Sequence, residues 1–182
     1  MMLMSSFVRS GSILFVLALG ITACAPNYDL TSLSPNPEAT DTAETARSIY
    51  SDRTLFTYSS AHGTQITYLR PDGVSLLWYP GNFRAVPAQW KVEFDGPGRG
   101  HDICWKYPTR SYNPVTREFG GQFRCTPDRF FFPRVEQILQ GDPSNLSSGR
   151  LPFVLPKARL SAEELAEQAK IPQSKIRTVF RD

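Results

Sequence analysis

Residues 88–94, AQWKVEF, carry the clearest folding signal in this chain. Ala88, Trp90, Val92 and Phe94 alternate with polar residues along the segment. A two-residue period of this kind is typical of a β-strand with one buried face and one wet face. We therefore expect a strand here that packs its apolar side chains into the core of an antiparallel sheet.

Similar strands are predicted on both sides of this segment. TQITYLR alternates around Ile66 and Tyr68, VSLLWY alternates around Leu76 and Trp78, and DICWKY and GQFRC supply two further candidates. The tetrapeptide RPDG at 70–73 predicts a tight turn, because proline presets φ at the first corner and glycine tolerates a positive φ. Turn signals recur roughly every 8–15 residues. The pattern predicts a mainly β fold, a small antiparallel meander of about five to seven strands shaped as a barrel or half-open sandwich.

Short helices are expected at both ends of this β-structure. Asp41 with Glu44 has the pattern of a capping box, which predicts a helix over 42–50 that packs Ala46, Ile49 and Tyr50 against the domain. Ser161 with Glu164 has the same pattern and predicts a second helix near the C-terminus.

The organisation of the C-terminal part is less regular. The β-domain with its leading helix is expected to span 42–140, and a proline- and serine-rich loop with the C-terminal helix to span 141–182 as a loosely packed appendage. The segment RVEQILQ fits either a last strand or a short helix, because Val135, Ile138 and Leu139 have helical spacing.

Residues 1–23 have the pattern of a secretory signal peptide. One basic residue, Arg9, precedes an apolar run that is too short to cross a hydrocarbon core of ~30 Å. The run ends in ITAC at 21–24, which resembles the lipobox of bacterial lipoproteins. The resemblance implies that the leader is cut before Cys24, that its thiol carries a diacylglycerol, and that the new amino terminus is acylated. Two or more acyl chains make such an anchor stable.

The residues after Cys24 indicate where the protein is held. Residue 25 is alanine and not aspartate, which by analogy with lipoproteins of diderm bacteria implies the outer membrane, with the domain facing the periplasm. Residues 24–41 are rich in Pro, Ser, Thr and Asn, which predicts a flexible tether. The formal charge of +3, which falls by one when Arg9 leaves with the leader, is too small to favour a nucleic-acid partner.

The two remaining cysteines, Cys104 and Cys125, are expected to form a disulfide, because export places them in an oxidising compartment. Closing a loop of this length stabilises a fold by about 3 kcal/mol in the chain-entropy model. Strict alternation places Cys104 on the polar face of its strand, whereas Cys125 shares a face with Phe123. Either the bridge lies on the outer face and Phe123 points outward, or a β-bulge breaks the alternation.

No constellation in the sequence predicts catalysis, and we expect neither enzyme activity nor a metal or cofactor. His101 near Cys104 suggests a base and a nucleophile, but a disulfide removes the thiolate, and Asp102 on the opposite face cannot orient the imidazole. The segment DGPGRGHD lacks the Lys-Ser/Thr ending of a phosphate-binding loop. Ser60 near His62 lacks a nucleophile elbow.

Aromatic side chains are the candidates for a ligand site. Four aromatic residues fall on predicted inward faces: Trp78, Trp90, Trp105 and Tyr68. They are expected first to fill the core, and to line a ligand pocket only where the sheet is not fully packed. Aromatic and basic residues also interleave over 99–134. One interpretation is ordinary strand alternation, with the aromatic side chains inward and the guanidinium groups outward in water. The alternative is a surface that binds an anionic envelope polymer or a partner protein.

One order of motifs runs through residues 53–126, namely YLRPDG, WYPGN, QWKVE, ICWKYP and GGQFRC. A Pro-Asp-Gly hairpin is thus followed by a Trp-bearing strand and two cysteine-bearing segments. This order resembles small alphaproteobacterial exported proteins and lipoproteins of unknown function. The resemblance implies a fold type and assigns no catalytic residue.

These patterns together predict a non-enzymatic cell-envelope lipoprotein, held to the membrane by lipid on Cys24, that binds a partner protein or an envelope component. Two alternatives stay open. A lipocalin-like carrier of a small ligand requires a cavity inside the sheet, and an inhibitor of a foreign muramidase or protease requires a surface that blocks the enzyme. No pattern in the sequence specifies an oligomeric state.

Overall fold

The computed structural model describes residues 43–94 and 100–179. The predicted signal peptide, Cys24 and the tether lie outside the described residues. Within them, the α-helices and strands follow one another in this order: α1 (Ala43–Tyr50), β1 (Arg53–Ser59), β2 (Gly63–Leu69), β3 (Val74–Trp78), β4 (Val86–Phe94), β5 (His101–Lys106), β6 (Tyr112–Asn113), β7 (Glu118–Phe119), β8 (Arg124–Pro127), α2 (Asp128–Phe131), β9 (Val135–Gln140) and α3 (Ala162–Ala169). None of the described helices is long and apolar enough to span a bilayer.

Seven of the strands form one antiparallel sheet, in the order β8-β5-β4-β3-β2-β1-β9, and β6 with β7 forms a separate small hairpin. The predicted antiparallel meander is therefore confirmed. Its turns follow the predicted chemistry. Gly73 has a φ of +85° and donates its backbone N–H to the Arg70 carbonyl at 3.2 Å, and Gly81 has a φ of +80° in the turn that follows β3.

The sheet is curled into half a barrel, because one short link joins its two edges. The link consists of α2 and a 3-10 turn, Phe132–Arg134, and it runs from edge strand β8 to edge strand β9. In a flat sheet seven strands would separate these edges by ~29 Å, whereas the helical link spans only ~12 Å. The sheet therefore bends toward the face that the link crosses, and that face is concave.

The concave face carries the first of two cores. Strand side chains pack there with α1 and with the link, and this set forms one buried cluster: Ala46, Tyr50, Leu55, Leu69, Trp90, Val92, Ile103, Phe132, Val135 and Ile138. Trp90 is fixed at its centre, since its indole N–H donates to the Arg70 carbonyl at 2.9 Å. The predicted packing of α1 through Ala46 and Tyr50 is confirmed. Phe94, predicted to point inward, is 48% exposed because it occupies the last position of β4.

The second core lies on the convex face, between the sheet and the C-terminal residues. Leu146, Leu155 and Leu165 from this segment are at most 1% exposed, and they pack on side chains of β1, β2, β3 and β9. The expectation of a loosely packed appendage is wrong. Apolar side chains lie on both faces of four strands, β1, β2, β3 and β9. The convex face would therefore expose apolar surface to water, and the chain after β9, here called the C-terminal segment, buries it.

Two local predictions in this region are decided by hydrogen bonding. Ser161 and Glu164 make the reciprocal capping box at the start of α3, as predicted. The segment RVEQILQ is strand β9, and Thr57 opposes Val135 while Phe56 opposes Gln137. The register shift leaves Glu136 without an opposite residue, as a β-bulge does. The apolar residues of β9 therefore have the spacing of a helix although they lie on a strand.

Candidate functional site

A half-open groove of about 670 Å³ lies on the concave face, beyond the end that α1 and the link fill. Its floor comes from the start of β2 (Gln65), the end of β3 (Leu77) and the start of β4 (Val86). Trp105 on β5 forms the boundary, because one side of its ring packs on Phe131 of the link at 5.1 Å while the residue also lines the groove. The half-barrel is thus solid at one end and open at the other.

The β6–β7 hairpin forms one wall of the groove. The rings of Tyr112 and Phe119 lie 5.1 Å apart across its two strands and are 51% and 67% exposed. Gly120 fixes the hairpin on the chain that follows β5, and its N–H donates to the Ser111 carbonyl at 2.9 Å. A Cβ added at Gly120 would lie 2.2 Å from the Pro108 carbonyl oxygen. Only glycine permits the backbone to come this close. The alternation of apolar residues within strands did not indicate that Gly120 has this role.

The opposite wall is the turn after β3. The Tyr79 hydroxyl lies 2.9 Å from Nδ1 of His62, and Gly81 donates its N–H to the Leu155 carbonyl at 3.0 Å. Burial raises the pKa of Tyr79. Burial first, and then the positive charges of Lys157 and Arg134, lower the pKa of His62. Tyr79 lines the groove as a protonated phenol, and the His62 imidazole, which is not a lining residue, is neutral at physiological pH and holds the Tyr79 hydroxyl from behind the wall.

Polar side chains lie among the apolar ones along the groove. Burial raises the pKa of Tyr107 to about 12, so its hydroxyl keeps its proton. Two charged residues are among the described lining residues, Arg124 and Glu118, and they form an ion pair at 3.3 Å. Four side-chain amides complete the polar lining: Gln65, Asn82, Asn113 and Gln122.

The four aromatic residues predicted for a pocket are not brought together. Trp78 and Tyr68 are buried under the C-terminal segment on the convex side, and Trp90 is buried in the filled end of the concave side. Trp105 is the one of the four that lines the groove. Alternation shows which side chains share a face of one strand, but it does not show which face of the curled sheet is concave.

The Cys104–Cys125 disulfide is confirmed. The two residues are direct partners in the register of β5 and β8. The bridge lies on the convex face, and Phe123 also lies there, with the Lys91 ammonium 4.2 Å from its ring centre. The first of the two alternatives is therefore correct, and no bulge is needed.

Neither the cysteines nor the histidine near them forms a reactive site. Glu93 Oε2 lies 3.7 Å from each sulfur, and these three residues could hold a metal ion by distance alone, but the sulfurs are bonded to each other. His101 is 1% exposed, and neither of its ring nitrogens has a hydrogen-bond partner in the described part of the chain. The pair of His101 and Cys104 therefore offers no activated thiolate.

No protein-family model, curated protein or solved structure matches this chain. The lipobox cysteine, Cys24, lies outside the described residues, so the lipid anchor stays a prediction. What the groove can bind has to be inferred from the side chains that line it.

Proposed function

We propose that this chain is a non-enzymatic lipoprotein of the cell envelope, anchored through Cys24, that binds an envelope component in the groove. The observation that supports this function best is the contrast within one face of the sheet. A tightly filled core continues directly into an open groove whose aromatic wall, Tyr112 and Phe119, remains exposed. Exposed aromatic residues beside a concave surface are a feature of binding sites.

A lipid anchor and a ligand-binding groove are compatible with one function, the binding of a component close to the membrane. The lipobox resemblance predicts attachment at Cys24, and the tether predicted for residues 24–41 is expected to let the domain reach material near the membrane surface. The groove is larger than the pocket of about 510 Å³ that includes Ser144 and Arg150, and it is the one of the two that aromatic residues line.

A lipocalin-like carrier is the second candidate, and the size of the groove favours it. A volume of about 670 Å³ falls within the range of about 300–1,000 Å³ that is typical of small-molecule sites. Carriers bury most of the surface of their ligand, however, whereas this groove is half-open along its length. The inhibitor hypothesis stays a prediction, and a lytic assay with added protein tests it.

Retention on envelope fractions tests the main proposal. The full chain, purified from its host and held in lipid nanodiscs, is incubated with peptidoglycan sacculi and with outer-membrane vesicles. We expect retention on one of these fractions and a loss of at least tenfold in the double variant Tyr112→Ala with Phe119→Ala. Phe130→Ala is the matched control, since Phe130 is 58% exposed and does not line the groove.

Two outcomes would contradict the proposal. Equal retention of the double variant and the wild type would show that the groove is not the binding site. A mass spectrum of the membrane-derived protein with an intact leader and an unmodified Cys24 would show that the protein has no lipid anchor at that residue.

A further inference from the structure

We infer that the groove binds an uncharged oligosaccharide. The inference rests on the proposed function, because it names the ligand class for the same groove. It is carried by the combination of three properties of the lining: flat aromatic rings on two walls, side-chain amides between them, and an absence of net charge among the described lining residues.

The aromatic rings match the faces of sugar rings. Tyr79 lies on one wall, Tyr112 and Phe119 on the other, and Trp105 on β5 at the boundary with the filled core. A pyranose ring presents axial C–H groups on its faces, and these apolar faces stack on aromatic side chains. Because Tyr112 and Phe119 are exposed, an incoming sugar can reach their rings without any movement of the core.

The polar groups match the edges of sugar rings. The lining amides are Gln65 on the floor, Asn82 in the turn after β3, and Asn113 and Gln122 near the hairpin. Each amide carries donors and an acceptor on one planar group, and Asn113 offers its donors, since its Oδ1 accepts from the Val115 and Thr116 N–H groups at 3.0 and 3.3 Å. A sugar hydroxyl also donates and accepts, so one amide can satisfy a pair of neighbouring hydroxyls. The protonated Tyr107 hydroxyl adds one more group that can do both.

The charges of the lining cancel. Arg124 and Glu118 are the two charged residues that line the groove in the described chain, and they pair with each other. An anionic polymer would therefore gain no net Coulombic attraction from the lining. This favours a neutral glycan over the anionic envelope polymer that the basic and aromatic residues of the sequence suggest.

An acyl chain fits the lining less well than a glycan. A hydrocarbon has no group that can donate or accept a hydrogen bond. Its binding would take the amide of Gln122 and the side-chain N–H groups of Asn113 out of water without giving them a partner, and burial of an unpaired amide group is unfavourable. A glycan replaces the lost water with its own hydroxyls.

The test is a calorimetric titration of the full chain in lipid nanodiscs. The probes are the β-1,4-linked tetramer of N-acetylglucosamine and maltotetraose, which stand for an amino-sugar backbone and a neutral hexose chain, together with polygalacturonate and decanoate. We expect binding of at least one neutral tetrasaccharide, tighter than either of the other probes. Tyr112→Ala and Phe119→Ala should each weaken it at least tenfold, and Phe130→Ala should leave it unchanged.

Three results would overturn the inference: no heat from either neutral tetrasaccharide, tighter binding of polygalacturonate or decanoate, or binding that survives both groove substitutions. Envelope retention separates this failure from failure of the proposed function. If retention depends on Tyr112 and Phe119 but no neutral sugar binds, the groove has another ligand and the function stands. If retention is independent of both residues, the function itself fails.

Discussion

The two ends of the concave face differ although the same strands build both. Trp90 and Trp105 are direct neighbours across β4 and β5. Trp90 is 2% exposed and its indole N–H is bonded to the Arg70 carbonyl. Trp105 is half-buried, lines the groove, and its indole N–H has no hydrogen-bond partner within the described residues.

What separates these two tryptophans is the cover above them. α1 packs over Trp90, where Arg47 also lies 5.3 Å from the ring centre, and the link covers only one side of Trp105. The filled end is therefore expected to carry the stability of the concave core, and the open end to carry binding.

Truncation of Trp90, at the filled end, should cause the largest loss in the free energy of unfolding. We expect Trp90→Ala to lower the free energy of unfolding by about 3–5 kcal/mol, because it removes a buried ring and leaves a cavity. Trp105→Ala should cost about 1–2 kcal/mol, since its ring is only half-buried. Urea denaturation of both variants measures the difference. Equal losses would mean that the two ends are not distinct.

Removal of the disulfide should come next. Cys104→Ser with Cys125→Ser should lower the free energy of unfolding by about 3 kcal/mol, through the larger conformational freedom of the unfolded chain. Amides of β1 and β2 that exchange through global unfolding should accelerate by the global loss alone. Because the bridge ties edge strand β8 to β5, exchange in β8 should accelerate by more. A uniform acceleration across the sheet would argue against a separate open end.

The alternation of apolar residues predicted strands β2 to β5, and the Pro-Asp-Gly sequence predicted the turn at Gly73. Alternation left the side of the disulfide open between two alternatives. It could not predict the closure of the sheet, because this depends on Phe132–Arg134 and α2 bridging two edges that are distant in sequence. It also could not predict the groove. The steric need for Gly120 arises only when the hairpin folds back on Pro108, which no local pattern specifies.

Displacement of the hairpin should have a local effect. Gly120→Ala introduces a Cβ that clashes with the Pro108 carbonyl, and overpacking of this kind costs about 1–3 kcal/mol. We expect faster hydrogen exchange in β6 and β7 and no change at Trp90. Ser111→Ala in the same segment is the control. If exchange accelerates instead around Trp90, the hairpin and the filled core are one unit.

Acidification should have the smallest effect. The pKa of His62 is lowered in the folded protein, so below its ordinary value of about 6.5 the unfolded chain binds the proton more readily. Stability should therefore fall as the pH drops from 7.5 to 5.5, by less than about 1 kcal/mol because the imidazole is partly exposed to solvent. His62→Gln should flatten this dependence, as measured by urea denaturation at both pH values. A variant as pH-sensitive as the wild type would assign the effect to another group.

The indole N–H resonances of the three tryptophans report separately on the groove and on the two cores. Trp78 and Trp90 donate to the carbonyls of Phe153 and Arg70 at 3.1 and 2.9 Å, while Trp105 lines the groove. In ¹⁵N-labelled full-length protein titrated with the N-acetylglucosamine tetramer or maltotetraose, we expect a saturable shift of the Trp105 signal and fixed signals for the other two. A fixed Trp105 signal with both sugars, or equal shifts of all three, would contradict this expectation.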